Sequence, residues 1–109
     1  MIRGASVNLG GEEFVLAPLT FAQLRDGSAK DIATIEDSIA KRAMFSDEYF
    51  NAMARVVHAS LSRNYPDMTF ERVLSLLDLG NARDCYKAVL GLSGLLKEPG
   101  AGEQKAAGA

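Results

Sequence analysis

The chain has no tryptophan, one cysteine, one histidine and three prolines in 109 residues. A lone Cys85 rules out an internal disulfide and any multi-cysteine zinc site, and fits a reducing compartment. A single His58, flanked by Val57 and Ala59 without Cys or carboxylate at ligand spacing, reads as a structural histidine rather than a metal ligand or base. There is no excess of positive charge: the net charge is −2 and the pI about 5.3, which argues against electrostatic capture of DNA, RNA or an anionic membrane. No apolar run approaches the roughly 18 residues a membrane helix needs, and MIRGASVNLGGEEF lacks the apolar centre of a signal peptide, so the expected location is cytoplasmic. With 48% hydrophobic and 24% charged residues, what remains is an ordinary globular chain with one modest core.

The positive signals are helical. From Ser46 to Leu79 the chain reads SDEYFNAMARVVHASLSRNYPDMTFERVLSLLDL. Ser46 is placed to cap a helix, and Asp47 and Glu48 put negative charge in its first turn. Tyr49, Phe50, Met53, Val56, Val57, Ser60 and Leu61 recur at steps of three and four, which predicts one core face, with Asn51, Arg55, Ser62 and Arg63 turned away. Asn64 is expected as a left-handed cap. Pro66 cannot continue the helix, and Thr69 opens the next, with Val73, Leu74, Leu76, Leu77 and Leu79 as its apolar set.

Upstream, Val7 and Leu9 alternate with polar residues before Gly10-Gly11, and Phe14 and Leu16 after it. This predicts a hairpin with Val7 opposite Phe14 and with Ala5, Leu9 and Leu16 on the same face. Gly10-Gly11 is a turn and not a phosphate loop, because no P-loop or dinucleotide pattern surrounds it. Thr20-Phe21-Ala22-Gln23 has the form of a capping box, so a short helix should run to Asp26 and stop at Gly27. Ser28 then caps a longer helix carrying Ile32, Ile35, Ile39 and Ala43, which should pack antiparallel to the one after Ser46. Asp31, Glu36 and Asp37 cannot converge on one face and read as solvated surface.

Gly80 ends the Leu-rich helix and Asn81 caps a last one, containing Cys85, Tyr86, Val89, Leu90, Leu92, Leu95 and Leu96. Cys85 sits in an apolar stripe, where a thiol behaves as a small hydrophobe. Met44, Met53 and Met68 are too scattered for a methionine-lined groove and read as packing residues. A helix-turn-helix reading of the last two helices fails on side chains: after Arg83 and Lys87 the would-be reading helix is almost wholly apolar. Its apolar surface is wider than one packing face needs, and Gly91 and Gly94 would let another backbone approach. Val89, Gly91, Leu92, Gly94, Leu95 and Leu96 are therefore the expected partner-binding or self-association surface. The whole predicts a mainly α (α+β) fold: an N-terminal hairpin and about five helices in one small bundle over residues 1–96, with a disordered Gly/Ala-rich tail from 97 to 109.

Three segments, VNLGGEEFVLAPLTFAQLRD, VVHASLSRNYPDMTFERVLSLLDLGN and YKAVLGLSGL, resemble in order and spacing the tail assembly chaperones of long-tailed bacteriophages and prophages. The resemblance covers Val7 to Leu95. It implies a non-enzymatic, cofactor-free protein of the host cytoplasm that binds the tape measure protein, promotes tail-tube assembly and leaves before the virion is complete. It also implies recruitment of the major tail tube protein through a longer, frameshifted product, for which the Gly/Ala tail suits a linker. Self-association to a homo-oligomer is compatible with the wide apolar face, and no membrane contact is expected. Two other readings are a small helical regulator acting on nucleic acid and a structural subunit of the tail.

Overall fold

The computed structural model describes residues 1–95. The expected tail and Leu96 lie outside the described residues. An antiparallel hairpin, β1 (Ser6–Leu9) and β2 (Glu12–Val15), leads to four helices among the described residues: α1 (Ala29–Ala40), α2 (Asp47–Ser62), α3 (Phe70–Leu76) and α4 (Ala82–Leu92). The hairpin register is the expected one, with Val7 opposite Phe14 and Leu9 opposite Glu12. Gly10 and Gly11 both hold positive φ, 62° and 86°, as a two-residue turn with the twist of the flanking strands demands. Leu9, Phe14 and Leu16 are buried on the inner face, and the turn lies against the end of α3, where a Cβ on Gly10 would come within 3.0 Å of Leu76 Cδ2.

The helix count is four where about five were expected, and the reason is at Gly27. The Thr20 capping box forms, with Thr20 Oγ1 accepting from Gln23 N–H and Gln23 Oε1 accepting from Thr20 N–H, both at 3.1 Å. Only Phe21–Gln23 is α-helical, however. Leu24–Ser28 turns into α1 across a kink at Gly27, whose φ of 149° is not helical, so the backbone leaves the helix at the expected residue, but the single turn before it runs into α1 without a connector and is not a helix of its own. Ser28 consequently does not cap α1: it is buried within the helical run and makes no capping bond.

At its other end α1 stops earlier than its apolar stripe suggests. Arg42 takes a left-handed conformation (φ 57°), Arg42 N–H donates to Ile39 O at 3.1 Å and Ala43 N–H to Ser38 O at 2.8 Å. These two bonds are a Schellman motif, and they place Ala43 outside the helix and exposed.

Helix α2 is the hub, packed against α1, α3 and α4. Ser46 Oγ accepts from Tyr49 N–H at 3.1 Å, as its position in the sequence suggests. The expected stripe is buried except for Phe50, which stands 39% exposed, and Ala52 and Ala54 are buried besides. Asn64 does not adopt the left-handed cap; among the described residues only Arg42 does so without being glycine. The Asn64 amide instead clamps the N-terminal segment to β2, accepting from Ile2 N–H at 2.6 Å and donating to Ile2 O at 2.9 Å and Val15 O at 3.1 Å. Side-chain bonds to β2 outcompete the local cap.

Thr69 caps α3 through Arg72 N–H at 3.1 Å, but the helix ends at Leu76 and Leu77 is extended, so Gly80 is not its terminator. Asp78 and Asn81 close the α3–α4 turn on each other. Asp78 Oδ1 accepts from Gly80 and Asn81 N–H, both at 2.8 Å, while Asn81 Oδ1 accepts from Asp78 N–H at 2.9 Å. Asn81 Nδ2 donates back to Leu76 O at 3.1 Å, so its side chain is unavailable to cap α4. Helix α4 ends in a second Schellman motif at Gly94 (φ 75°), with Leu95 N–H donating to Leu90 O at 2.9 Å and Gly94 N–H to Gly91 O at 3.2 Å.

Candidate partner-binding surfaces

The residues with chemical potential are held by structural partners. His58 Nε2–H donates to the Met68 carbonyl at 2.8 Å, tying α2 to the corner before α3. Cys85 is buried, and burial pushes its thiol up to about 12, far from a nucleophile's range. The three carboxylates of α1 have separate partners. Asp31 takes Arg55 at 3.0 Å, Asp37 takes Lys41 at 3.1 Å, and Glu36 accepts from Tyr86 O–H at 2.7 Å. Burial first, and then the bond to Glu36, pushes the Tyr86 phenol up. Among the described residues no three His, Cys, Asp or Glu side chains gather as metal ligands, and no helix is long and apolar enough to cross a membrane.

The surface expected at the end of α4 is divided by the fold. Val89 is 0% exposed and belongs to the core. Leu92 is half-buried beside Gly4, where a Cβ would overlap the Leu16 carbonyl and lie 3.3 Å from Leu92 Cδ1. The chain's own N-terminal segment thus covers part of the stripe. Val7 and Leu9 of the hairpin face Asn81 and Cys85 at its start. Gly91 and Gly94 are exposed, and Gly94 serves the helix cap and not the approach of another chain. Leu95, 42% exposed, is the large apolar side chain this surface retains among the described residues.

A larger apolar surface lies at the opposite end of α4. A groove of about 510 Å³ opens between the α1–α2 connector, the first turns of α2, the α3–α4 turn and the start of α4. Tyr49 and Met53 are buried along its floor, Leu74 and Leu77 contribute one side, and Phe45 and Leu79 stand on its walls 78% and 65% exposed. Phe45 and Phe50 meet edge to face with centroids 6.3 Å apart, and Phe50 meets Tyr49 at 6.0 Å, so the aromatic wall is ordered by its own contacts.

The groove's two charges differ in state. The Asp78 carboxylate is taken up by the turn, whereas Arg83, its Nη1 resting 4.0 Å from Met44 Sδ, forms no ion pair among the described residues. Burial pushes the Tyr49 phenol up, and the Arg83 guanidinium opposes that shift. Sequence reasoning missed this groove, because its lining comes from three stretches that meet only on folding. The available signal was Phe45, a large apolar residue between two helices that no helical face accounts for; Leu79 was assigned to the helix that the structure ends at Leu76.

Comparison with protein-family models, with curated proteins and with solved structures finds no match to the chain.

Proposed function

We propose that the protein acts by binding alone, as a tail assembly chaperone of a long-tailed phage or prophage. In this reading it holds the tape measure protein in the host cytoplasm, promotes assembly of the tail tube around it, and is absent from the finished particle. The observation that carries the reading is the open apolar groove beside Phe45, Phe50 and Leu79, on a domain whose His58, Asp31 and Glu36 are held by structural bonds. A patch of this kind on a small domain marks an interaction site. The order of the three segments from Val7 to Leu95 supplies the kind of partner. Contact with the major tail tube protein through a longer product, and self-association, belong to the same proposal.

Co-expression with the tape measure protein of the same genome tests it. The chaperone reading expects the two to co-purify and the tape measure protein to stay in solution; a tape measure protein equally soluble and unbound without this chain would sink it. Titration of labelled DNA at two salt concentrations is expected to show no salt-dependent binding, whereas a nucleic-acid regulator would lose affinity steeply as salt rises.

A further inference from the structure

We propose that the groove seats an amphipathic helix of a partner protein, and that Arg83 receives a carboxylate carried beside that helix's apolar ridge. The partner's identity as the tape measure protein rests on the functional reading above; the geometry of the seat does not.

The occupant's form follows from the walls. They are side chains of helices and connectors, and the chain's strand pairing lies in the hairpin, away from Phe45, Phe50 and Leu79. A segment entering the groove finds no row of backbone donors and acceptors, so it must bring its own backbone hydrogen bonds already made. A helix does this and an extended peptide does not. A small amphiphile fits less well, because Phe45 and Leu79 project into solvent on the walls and a small-molecule site encloses most of its ligand. The chain's own residues after Lys97, EPGAGEQKAAGA, hold no apolar side chain larger than proline and have nothing to place against the Phe45–Phe50 pair.

The occupant's charge follows from the rim. Arg83 is the cation of the lining and forms no ion pair among the described residues, while Asp78 Oδ1 is engaged by Gly80 and Asn81 N–H. A helix laid over Arg83 strips water from the guanidinium. With a carboxylate opposite, that desolvation is offset in a weakened dielectric; with a neutral or basic residue opposite, it is not. The groove should therefore discriminate between otherwise identical apolar helices by the sign of one side chain.

The test uses the full chain and two probes: overlapping peptides tiling the tape measure protein, and a model helix with leucines at i, i+3, i+4 and i+7 and one Glu beside that ridge, compared with its Lys version. Fluorescence anisotropy is expected to show the Glu helix binding about 10-fold tighter than the Lys helix, an order inverted by Arg83→Glu. Phe45→Glu and Leu79→Glu, at exposed positions that leave melting unchanged, are expected to weaken binding by roughly 30-fold. Full affinity in the Phe45→Glu, Leu79→Glu double variant would overturn the seat. Equal binding of Glu and Lys helices would overturn the role of Arg83. A dimer that Leu79→Glu dissociates, with neither model helix bound by the monomer, would mean that a second copy fills the groove and would also overturn the proposal. If the model Glu helix binds as expected but no tape measure peptide does, the seat stands and the functional reading fails.

Discussion

Ser60 and Ala17, 43 residues apart, exchange two hydrogen bonds in the core: Ser60 Oγ donates to Ala17 O at 2.7 Å and accepts from Ala17 N–H at 3.0 Å. One hydroxyl thus satisfies both backbone groups of a residue that leaves the hairpin with no strand beside it. Ser60→Ala removes the partner and leaves a buried N–H and a buried C=O unpaired, at about 2–4 kcal/mol in total. A lowered thermal midpoint with unchanged helix content is the expected result; a midpoint within a degree of wild type would show that water or a backbone shift replaces the hydroxyl.

Arg42 occupies a left-handed position at the end of α1 that glycine fills at no steric cost. Arg42→Gly should therefore stabilise the domain, by about 0.5–1 kcal/mol once the extra freedom of glycine in the unfolded chain is subtracted. A rise of a few degrees in the melting midpoint would check this, and a fall would show that the Arg42 side chain contributes more than its backbone strain costs.

The elements that could be read before folding are those whose signals are local and uncontested. The Gly10-Gly11 hairpin register and the caps at Thr20, Ser46 and Thr69 all form as their spacing dictates. Ser28, Asn64 and Asn81 have cap-forming side chains too, but burial claims the first and long-range or turn bonds claim the others. Gly27 breaks the helical backbone as its type suggests, but the run before it is a single turn, too short to stand apart from α1. The α4 stripe was read correctly as apolar, yet what covers Leu92 is the segment at Gly4, a tertiary fact that periodicity does not contain.

The buried Cys85 thiol should resist modification. Because its ionisation moves from 9.0 to about 12, a thiol reagent at pH 8 is expected to react far more slowly with the folded protein than with the denatured chain. The sign of the linked stability follows. Below about pH 9 both states keep the proton and Cys85 contributes no pH dependence; between about 9 and about 12 the unfolded chain ionises first, so stability falls as pH rises. Rapid labelling of the native protein at pH 8 would place Cys85 at an accessible surface.

The two leucines at the end of α4 should behave differently. Leu92→Glu puts a carboxylate into the contact with the N-terminal segment and is expected to lower the melting midpoint by several degrees, whereas Leu95→Glu, at a half-open position, should leave it nearly unchanged. Equal melting of both variants would mean that the N-terminal segment is not seated on Leu92.

Ser93, at the end of α4, accepts the N–H of Leu19 at 2.9 Å across 74 residues, just as Asn64 holds Ile2 across 62. Synthesis on the ribosome delivers the hairpin before its fastenings. Until Ser60, Asn64 and Tyr65 emerge, the strands have little more to hold them than an isolated hairpin has in water, which is marginal. Chains cut at Met44, before α2, are therefore expected to show unprotected exchange of the hairpin amides. The hairpin is made before the residues that hold it, and its structure waits for them.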